Sequence, residues 1–390
     1  MNAGKILFAQ IMEYLPRRAF DKAVARYLGD HKVQDFSCRD QFLAMAFAQI
    51  TMRASLRGIE CTLRASGSLL YHMGFRCETI SRTTLAKANE NRPWQIYADL
   101  AQHLMRKAQE LYAKEKIAVD IDVRIFALDS TTIDLCLERF TWALFRKTKG
   151  AVKMHVLLDL HGNIPDFIVI SDGKTHDVNI LDELEYLYGA FYLFDRAYVD
   201  FKRLFRLHQS GAFFVTRAKR RMRFKVVESR PVNKDSGVLC DQIIRLAGTT
   251  SAADYPERLR RIKYRDPKTG RTLVFLTNNF LLPPEVIAQL YKQRWQVELF
   301  FKWIKQHLRI KAFYGYSENA VKTQLWVAVA VYCLLAIIKK EIGGDRELYE
   351  IQEILSASIF QKMPILQAFS NIEEKPDRPA PCNYPSLFDL

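Results

Sequence analysis

The feature that most constrains this 390-residue chain is a change of hydrophobic period that occurs twice. From Lys5 to about Tyr112 apolar residues recur at helical spacing. Ser37-Cys38-Arg39-Asp40 predicts a capping box, followed by Phe42, Met45, Ala46 and Ile50 on one helix face. After Ala118 the period shortens. Val123 to Leu128 is rich in branched and aromatic residues and ends in Asp129, which predicts a buried strand with a carboxylate at its tip. Lys153 to Leu160 and Ile164 to Ile170 flank His161-Gly162-Asn163 and predict an antiparallel hairpin. Asp177 to Tyr188 reads as a helix, Phe191 to Phe194 as a strand ending in Asp195, Phe201 to Gln209 as a helix closed by Gly211, and Ala212 to Thr216 as a further strand. Helical period returns from Pro284 to about Ile342. Elements in that order bury their apolar faces by packing helices around a mixed sheet.

Charge narrows the class of partner. Lys and Arg number 58 against 43 Asp and Glu, a formal net charge of +15, and such a surplus favours a polyanion. Part of it is concentrated in Arg217, Lys219, Arg220, Arg221, Arg223 and Lys225, and part in Arg258, Arg260, Arg261, Lys263 and Arg265 on a predicted strand. Asp266 to Gly270 then reads as a turn into a strand from Arg271 to Leu276. Other classes are disfavoured. Seven cysteines, odd in number, widely spaced and without a Cys-x-x-Cys pair, argue against a disulfide framework or zinc knuckle. Gly173-Lys174-Thr175 lacks the glycine a phosphate-binding loop needs, since Ile168 stands there. The longest apolar stretch, Leu325 to Ile338, falls short of the roughly 20 residues that span a bilayer and reads as a buried helix. With no signal peptide at Met1 to Tyr14, a cytoplasmic protein is expected.

The segment from Tyr291 to Lys305 carries the chemistry. On one helix, Tyr291, Arg294, Glu298 and Lys305 share a face, while Val297, Phe300, Phe301, Ile304 and Leu308 gather beside it and fix its rotation. A carboxylate among two cations and a phenol joins Asp129 and Asp195. Three carboxylates from separate elements of a basic protein suit two divalent ions astride a scissile phosphate. Arg294, Lys305 and Tyr291 then suit the flanking phosphates. Trp295 and Trp303 read as helix packing, and His176 as a surface histidine.

In these residues the chain resembles the bacterial insertion-sequence transposases of the DDE type, in the insertion-sequence-4-like group. The motifs are Ala127-Leu128-Asp129-Ser130-Thr131, Leu193-Phe194-Asp195-Arg196-Ala197-Tyr198 and the spacing Tyr-x2-Arg-x3-Glu-x6-Lys at Tyr291, Arg294, Glu298 and Lys305. The resemblance implies an α/β fold, a ribonuclease-H-like mixed sheet with helices on both faces, interrupted by a β-rich insertion and preceded by an α-helical domain. It implies two Mg²⁺ ions, with Mn²⁺ as a substitute, held by Asp129, Asp195 and Glu298. It also implies that Tyr291, Arg294 and Lys305 contact transposon-end DNA, and the cluster Arg220, Arg221 and Arg223 is expected to face DNA as well. The expected partners are double-stranded DNA, both terminal inverted repeats and target, and a second copy in a synaptic homodimer, with no membrane. The work is expected in the bacterial cytoplasm, at the nucleoid.

The expected organisation is a helical DNA-binding domain over 1–117, a first part of the catalytic core over 118–216, a basic β-rich insertion over 217–280, returning core helices over 281–345, and a C-terminal helix with a Pro-rich tail over 346–390. Within the first domain, Thr79 to Lys87 offers hydroxyls and two cations as a candidate recognition helix. The rival functions are a non-catalytic DNA-binding regulator derived from a transposase and a structure-selective nuclease of the same fold. Retention of all three carboxylates argues against the regulator.

Overall fold

The computed structural model describes residues 4–119, 121–146, 149–308, 310, 312–343 and 346–370. The chain divides into two compact units, one comprising 1–113, 132–152 and 300–376, the other 114–131, 153–299 and 377–390. The Pro-rich stretch expected as a loose tail lies outside the described residues.

The first unit is mainly helical. Ser37 and Asp40 form the reciprocal box expected at the start of the helix Cys38–Ile50: the Asp40 amide donates to the Ser37 hydroxyl, and the Ser37 amide donates to the Asp40 carboxylate. All of that helix except Arg39 is buried, so it is a central element with no solvent stripe. The helix Glu318–Ile342 is long and apolar enough to cross a membrane, yet 94% of its apolar window is buried inside the protein, as expected of a core helix. It packs along the helix Gln95–Tyr112. Buried amides on these helices pair with neighbouring segments: Gln41 Nε2 donates to Asn89 Oδ1 at 2.8 Å, and Gln324 accepts from the Tyr314 amide at 2.9 Å. The candidate recognition helix is Arg82–Asn91, capped by the Ser81 hydroxyl and exposing Arg82, Thr83, Thr84 and Lys87.

Ten strands are described: β1 (Ile125–Leu135), β2 (Leu144–Arg146), β3 (Lys149–Asp159), β4 (Ile164–Asp172), β5 (Phe191–Phe194), β6 (Phe213–Arg217), β7 (Phe224–Arg230), β8 (Val238–Leu246), β9 (Leu259–Arg265) and β10 (Thr272–Thr277). Their order is β3-β1-β5-β6-β10-β9-β8-β7, with β2 and β4 both pairing to β3. The expected hairpin joins β3 to β4, and its turn places Gly162 and Asn163 at φ 76 and 57, the doubly left-handed geometry of a tight β-hairpin. The Leu160 amide, just past the end of β3, donates to the carbonyl of Ile125 at the start of β1, so those two strands run antiparallel. β5 and β6 then lie parallel to β1, joined through the helix Phe201–Gln209. A β4-β3-β1 meander followed by two parallel strands is the ribonuclease-H-like arrangement.

In the second unit both faces of the central strands are covered. Phe126, Leu128, Tyr192, Phe194 and Phe214 point into a cluster with Ile180, Leu181, Leu204 and Leu207. Across the sheet Phe275 meets Tyr291 of the helix Pro284–Gln293, ring centroids 5.0 Å apart. The β-rich segment continues the same sheet, because β10 pairs antiparallel with β6. Two helical expectations differ. Asp177 to Tyr188 yields only a 3-10 stretch, Asp177–Asp182, since the Tyr186 hydroxyl donates to the Leu181 carbonyl and the Leu187 amide donates to the Tyr192 hydroxyl, drawing the backbone out of a helix. The span from Pro284 to Ile342 is three helices, Pro284–Gln293, Trp295–His307 and Glu318–Ile342, the last restarted by a Ser317 cap.

Candidate functional site

Asp129 and Asp195 are neighbours because β1 and β5 are parallel and paired up to Leu128 and Phe194, so each Asp is the next residue beyond a matched pair. β5 ends there, and Asp195 opens the turn Arg196–Tyr198. β1 continues to Leu135, because the long strand β3 keeps it paired after β5 has stopped. Asp129 is thus a mid-strand residue rather than the strand tip the sequence suggested.

Glu298 arrives on the first turn of the helix Trp295–His307. The single helix expected from Tyr291 to Lys305 tightens at Arg294, whose amide donates to the Tyr291 carbonyl and whose carbonyl accepts from the Val297 amide, both three-residue closures. The tight turn carries Arg294 inward. Nη1 donates to Asp129 Oδ2 at 3.0 Å, and Nη2 donates to Glu298 Oε1. One guanidinium therefore bridges two of the three carboxylates, with side chains only 9% (Arg294), 20% (Asp129) and 16% (Glu298) exposed.

Burial raises the carboxyls of Asp129 and Glu298 above the ordinary range. Arg294 pulls both down, while the charge of Asp195 pushes both up. Burial opposes the charge of Arg294, but Tyr291, Asp129 and Glu298 outweigh it and hold the guanidinium firmly protonated. The Tyr291 phenol is pushed by burial up to about 12 and lies beside Arg294, Asp195 and Arg217. Lys305 occupies the other end of its helix, where Nζ donates to the Thr132 carbonyl at 3.1 Å in the first unit. Val297, Phe300, Phe301, Ile304 and Leu308 are all buried, as their spacing predicts.

Behind Asp129 lies a network that no sequence motif announced. The Ser130 amide donates to Asp129 Oδ1 at 2.8 Å, and the Ser130 hydroxyl donates to Asp177 Oδ1 at 2.9 Å. Lys153 Nζ donates to the same Asp177 oxygen at 3.1 Å, and His155 Nδ1 lies 3.8 Å from it. The only hint was Lys153 and His155 two apart on one strand, which share a sheet face. Arg220, Arg221 and Arg223 are exposed in the connection from β6 to β7, and His176 is exposed. Trp303 packs against Tyr332, ring centroids 5.0 Å apart.

Three carboxylates on three elements are the hard-oxygen donors a divalent ion prefers. Among the described residues no three acidic, imidazole or thiol groups stand ready around one point, and the Arg294 guanidinium lies between two of the acids. That guanidinium is itself a stand-in cation, so the site is electrostatically suited to positive charge.

Comparisons with known proteins converge. Residues 122–334 match the family described as transposase DDE domain, and residues 3–76 match a domain of unknown function. A protein of Sinorhizobium fredii described as the transposase y4zB is 32% identical over 303 residues, covering 77% of this chain and 81% of that protein. A protein of Geobacillus stearothermophilus described as the transposase for insertion sequence element IS5377 is 30% identical over 255 residues, 65% of this chain and 66% of its own length. A Synechocystis protein described as the transposase for insertion sequence element IS4SA is 24% identical over 356 residues, 90% of this chain and 94% of that protein.

Proposed function

The chain belongs to the DDE transposase family, an enzyme that cuts and transfers DNA strands, and on that premise we propose that Asp129, Asp195 and Glu298 are its catalytic carboxylates, acting with two Mg²⁺ ions at insertion-sequence ends. The family's chemistry uses divalent metals and its partner is DNA. The observation that carries the residue assignment is the Arg294 bridge: acids 165 and 4 positions from Arg294 in sequence are drawn to one guanidinium, beside an Asp that the parallel register aligns with the first.

When bound, the divalent ions supply activation of the attacking oxygen and charge relief on the leaving oxygen. The chain's own residues do the rest. Asp129 and Asp195 hold a fixed spacing because each follows the last matched pair of β1 and β5, and Ser130 and Asp177 brace Asp129 from behind. The buried flank of the helix Trp295–His307 fixes the rotation of Glu298. Arg294 is poised to exchange its carboxylate contacts for a DNA phosphate, a bidentate acceptor that matches its fork. Tyr291, whose phenol lies beside Arg294, and Lys305 are further phosphate contacts in this reading, and Arg220, Arg221 and Arg223 extend the cationic surface. In this reading, which places the chain in the insertion-sequence-4-like group, water first breaks the P–O3′ bond at an element end, and the freed 3′ hydroxyl then attacks a phosphorus of target DNA, breaking that phosphorus's own P–O3′ bond and releasing the target strand's 3′ oxygen as a hydroxyl. A homodimer pairs two inverted-repeat ends in a synaptic complex, in the bacterial cytoplasm at the nucleoid.

Glu298→Gln keeps the shape and removes the charge. It abolishes nicking of end-containing DNA in Mg²⁺ while leaving DNA binding in gel-shift assays within about twofold, as loss of a metal-holding charge requires. Near-normal nicking by that variant overturns the assignment.

A further inference from the structure

Beside the proposed catalytic carboxylates the second unit holds a concave pocket of about 550 Å³. Six of its lining side chains are cationic: Arg196, Arg217, Lys219, Arg220, Arg261 and Arg271. No carboxylate lines it. Arg196 follows Asp195 directly, and the charge of Arg217 acts on the buried Tyr291 phenol, so the pocket adjoins the site. Arg261 is fixed in place: its guanidinium lies 5.0 Å from the centroid of the Phe224 ring and donates to Gln242 Oε1 at 2.8 Å. Among the described residues Arg196, Arg217, Lys219 and Arg220 have side chains with neither an ion pair nor a hydrogen bond, and Arg196 and Arg217 are half-buried. Four unpaired cations facing one hollow repel one another, and an entering anion relieves that repulsion.

We propose that this pocket binds the 5′-terminal phosphate of a cut DNA strand. The inference rests on the cleavage reading above and adds to it the fate of one product end. Volume comes first. Pockets of roughly 300 to 1,000 Å³ enclose single small-molecule-sized groups, so one nucleotide enters here and a duplex does not. Charge comes second. An internal phosphodiester carries one negative charge and is tethered on two sides, whereas a terminal phosphate carries about −1.5 to −2 and offers three free acceptor oxygens. Cations converging from four separate segments are matched by the terminal group. Chemistry fixes the polarity: hydrolysis of the P–O3′ bond adds water's oxygen to phosphorus, the leaving oxygen takes a proton to become the 3′ hydroxyl, and the phosphate stays on the 5′ end. Captured one residue from Asp195, that end is kept apart from the 3′ hydroxyl, which is then available for target DNA.

The test is fluorescence anisotropy with the full chain in chelator, so that nothing is cut, using one short single-stranded oligonucleotide with a 5′-phosphate, a 3′-phosphate or neither. The 5′-phosphate form binds about tenfold tighter than the other two, the scale of charge-assisted contacts to a dianion. Arg217→Gln with Lys219→Gln abolishes that preference, and Arg217→Lys, which keeps the charge, retains most of it. Equal affinity of all three oligonucleotides overturns the inference while leaving the DNA-cleavage reading intact. So does an equal gain from a 3′-phosphate, or a preference that survives the double variant. A chain that binds no DNA at all overturns the cleavage reading and this inference together.

Discussion

Arg294 shows how one side chain can hold a site in waiting. Its guanidinium is only 9% exposed and neutralises Asp129 and Glu298, which burial would otherwise drive toward the protonated form. Removing it strands two mostly buried carboxylates, and breaking such pairs costs about 3–5 kcal/mol when the partner is fully buried, less here. Arg294→Gln therefore melts lower in chelator, and added Mn²⁺ or Mg²⁺ raises its melting temperature more than that of the wild type, because the competing cation is gone. Equal metal-induced shifts in the two proteins show that the guanidinium does not occupy the cation's place. His155 gives a pH signature. It is fully buried, and burial lowers its imidazole to about 4, with Asp177 opposing and Lys153 assisting. The unfolded chain takes up the proton near 6.5 and the folded chain near 4, so stability is full above that window and falls as pH drops through it. Between about pH 7.5 and pH 5 this one group removes about 2 kcal/mol. His155→Gln abolishes that part of the acid loss in urea melts, and an unchanged acid loss contradicts a buried neutral imidazole. Of this site, the spacing of Tyr291, Arg294, Glu298 and Lys305 was readable in the sequence, since it is covalent. The inward turn of Arg294 was not, because it depends on carbonyls three residues away and on acids brought in by folding.

Among the elements, β9 illustrates what a basic strand conceals. In sequence, Arg258, Arg260, Arg261, Lys263 and Arg265 form one cationic run. In the sheet, the strand's two-residue alternation separates them. Arg261 lines the cationic pocket, whereas Arg260, 2% exposed, turns the other way and forms a two-pronged pair with Asp241 on β8, Nε to Oδ1 at 2.9 Å and Nη2 to Oδ2 at 2.7 Å. Arg260 Nη1 also donates to the Leu282 carbonyl at 2.6 Å, tying β9 to the entry of the helix Pro284–Gln293. Asp241→Ala leaves the guanidinium buried and uncompensated and destabilises the fold by about 3–5 kcal/mol, whereas Asp241→Leu with Arg260→Met restores most of the loss. Chemical denaturation of the two variants checks this, and equal losses show that the charge pair itself contributes the stability. The alternation was legible in the sequence. Asp241, 19 residues away, was not, because pairing across strands is set by register. Seven of the ten described strands, all but β2, β7 and β8, together with the hairpin turn and the caps at Ser37 and Gly211, were readable because their causes are local. The failed helix after Asp177 and the unbroken continuation of the sheet through β10 depend on tyrosine hydroxyls and strand partners far along the chain.

At the scale of the whole molecule the +15 charge acts as a field rather than as a set of contacts. Several cations are engaged internally, among them Arg260 with Asp241, Arg294 with Asp129, and Arg203 with Asp182 and Asp200. The remainder draw DNA in by releasing its counterions, so affinity falls steeply with salt. Six to ten phosphate contacts lose about 10³ to 10⁵ in affinity between roughly 50 and 200 mM salt. The exposed connection from β6 to β7 allows the share of one region to be separated from the rest. Arg220, Arg221 and Arg223 are exposed and make no ion pair among the described residues, so replacing all three by Gln leaves folding stability within about 0.5 kcal/mol, the usual range for surface changes. If each contacts one phosphate, the slope of log affinity against log salt becomes shallower by about 0.9 per residue, about 2.7 in all. Anisotropy titrations at four salt concentrations measure the slope directly. A slope unchanged from the wild type shows that this connection faces away from the DNA path, and the field that recruits DNA then belongs to the other unpaired cations.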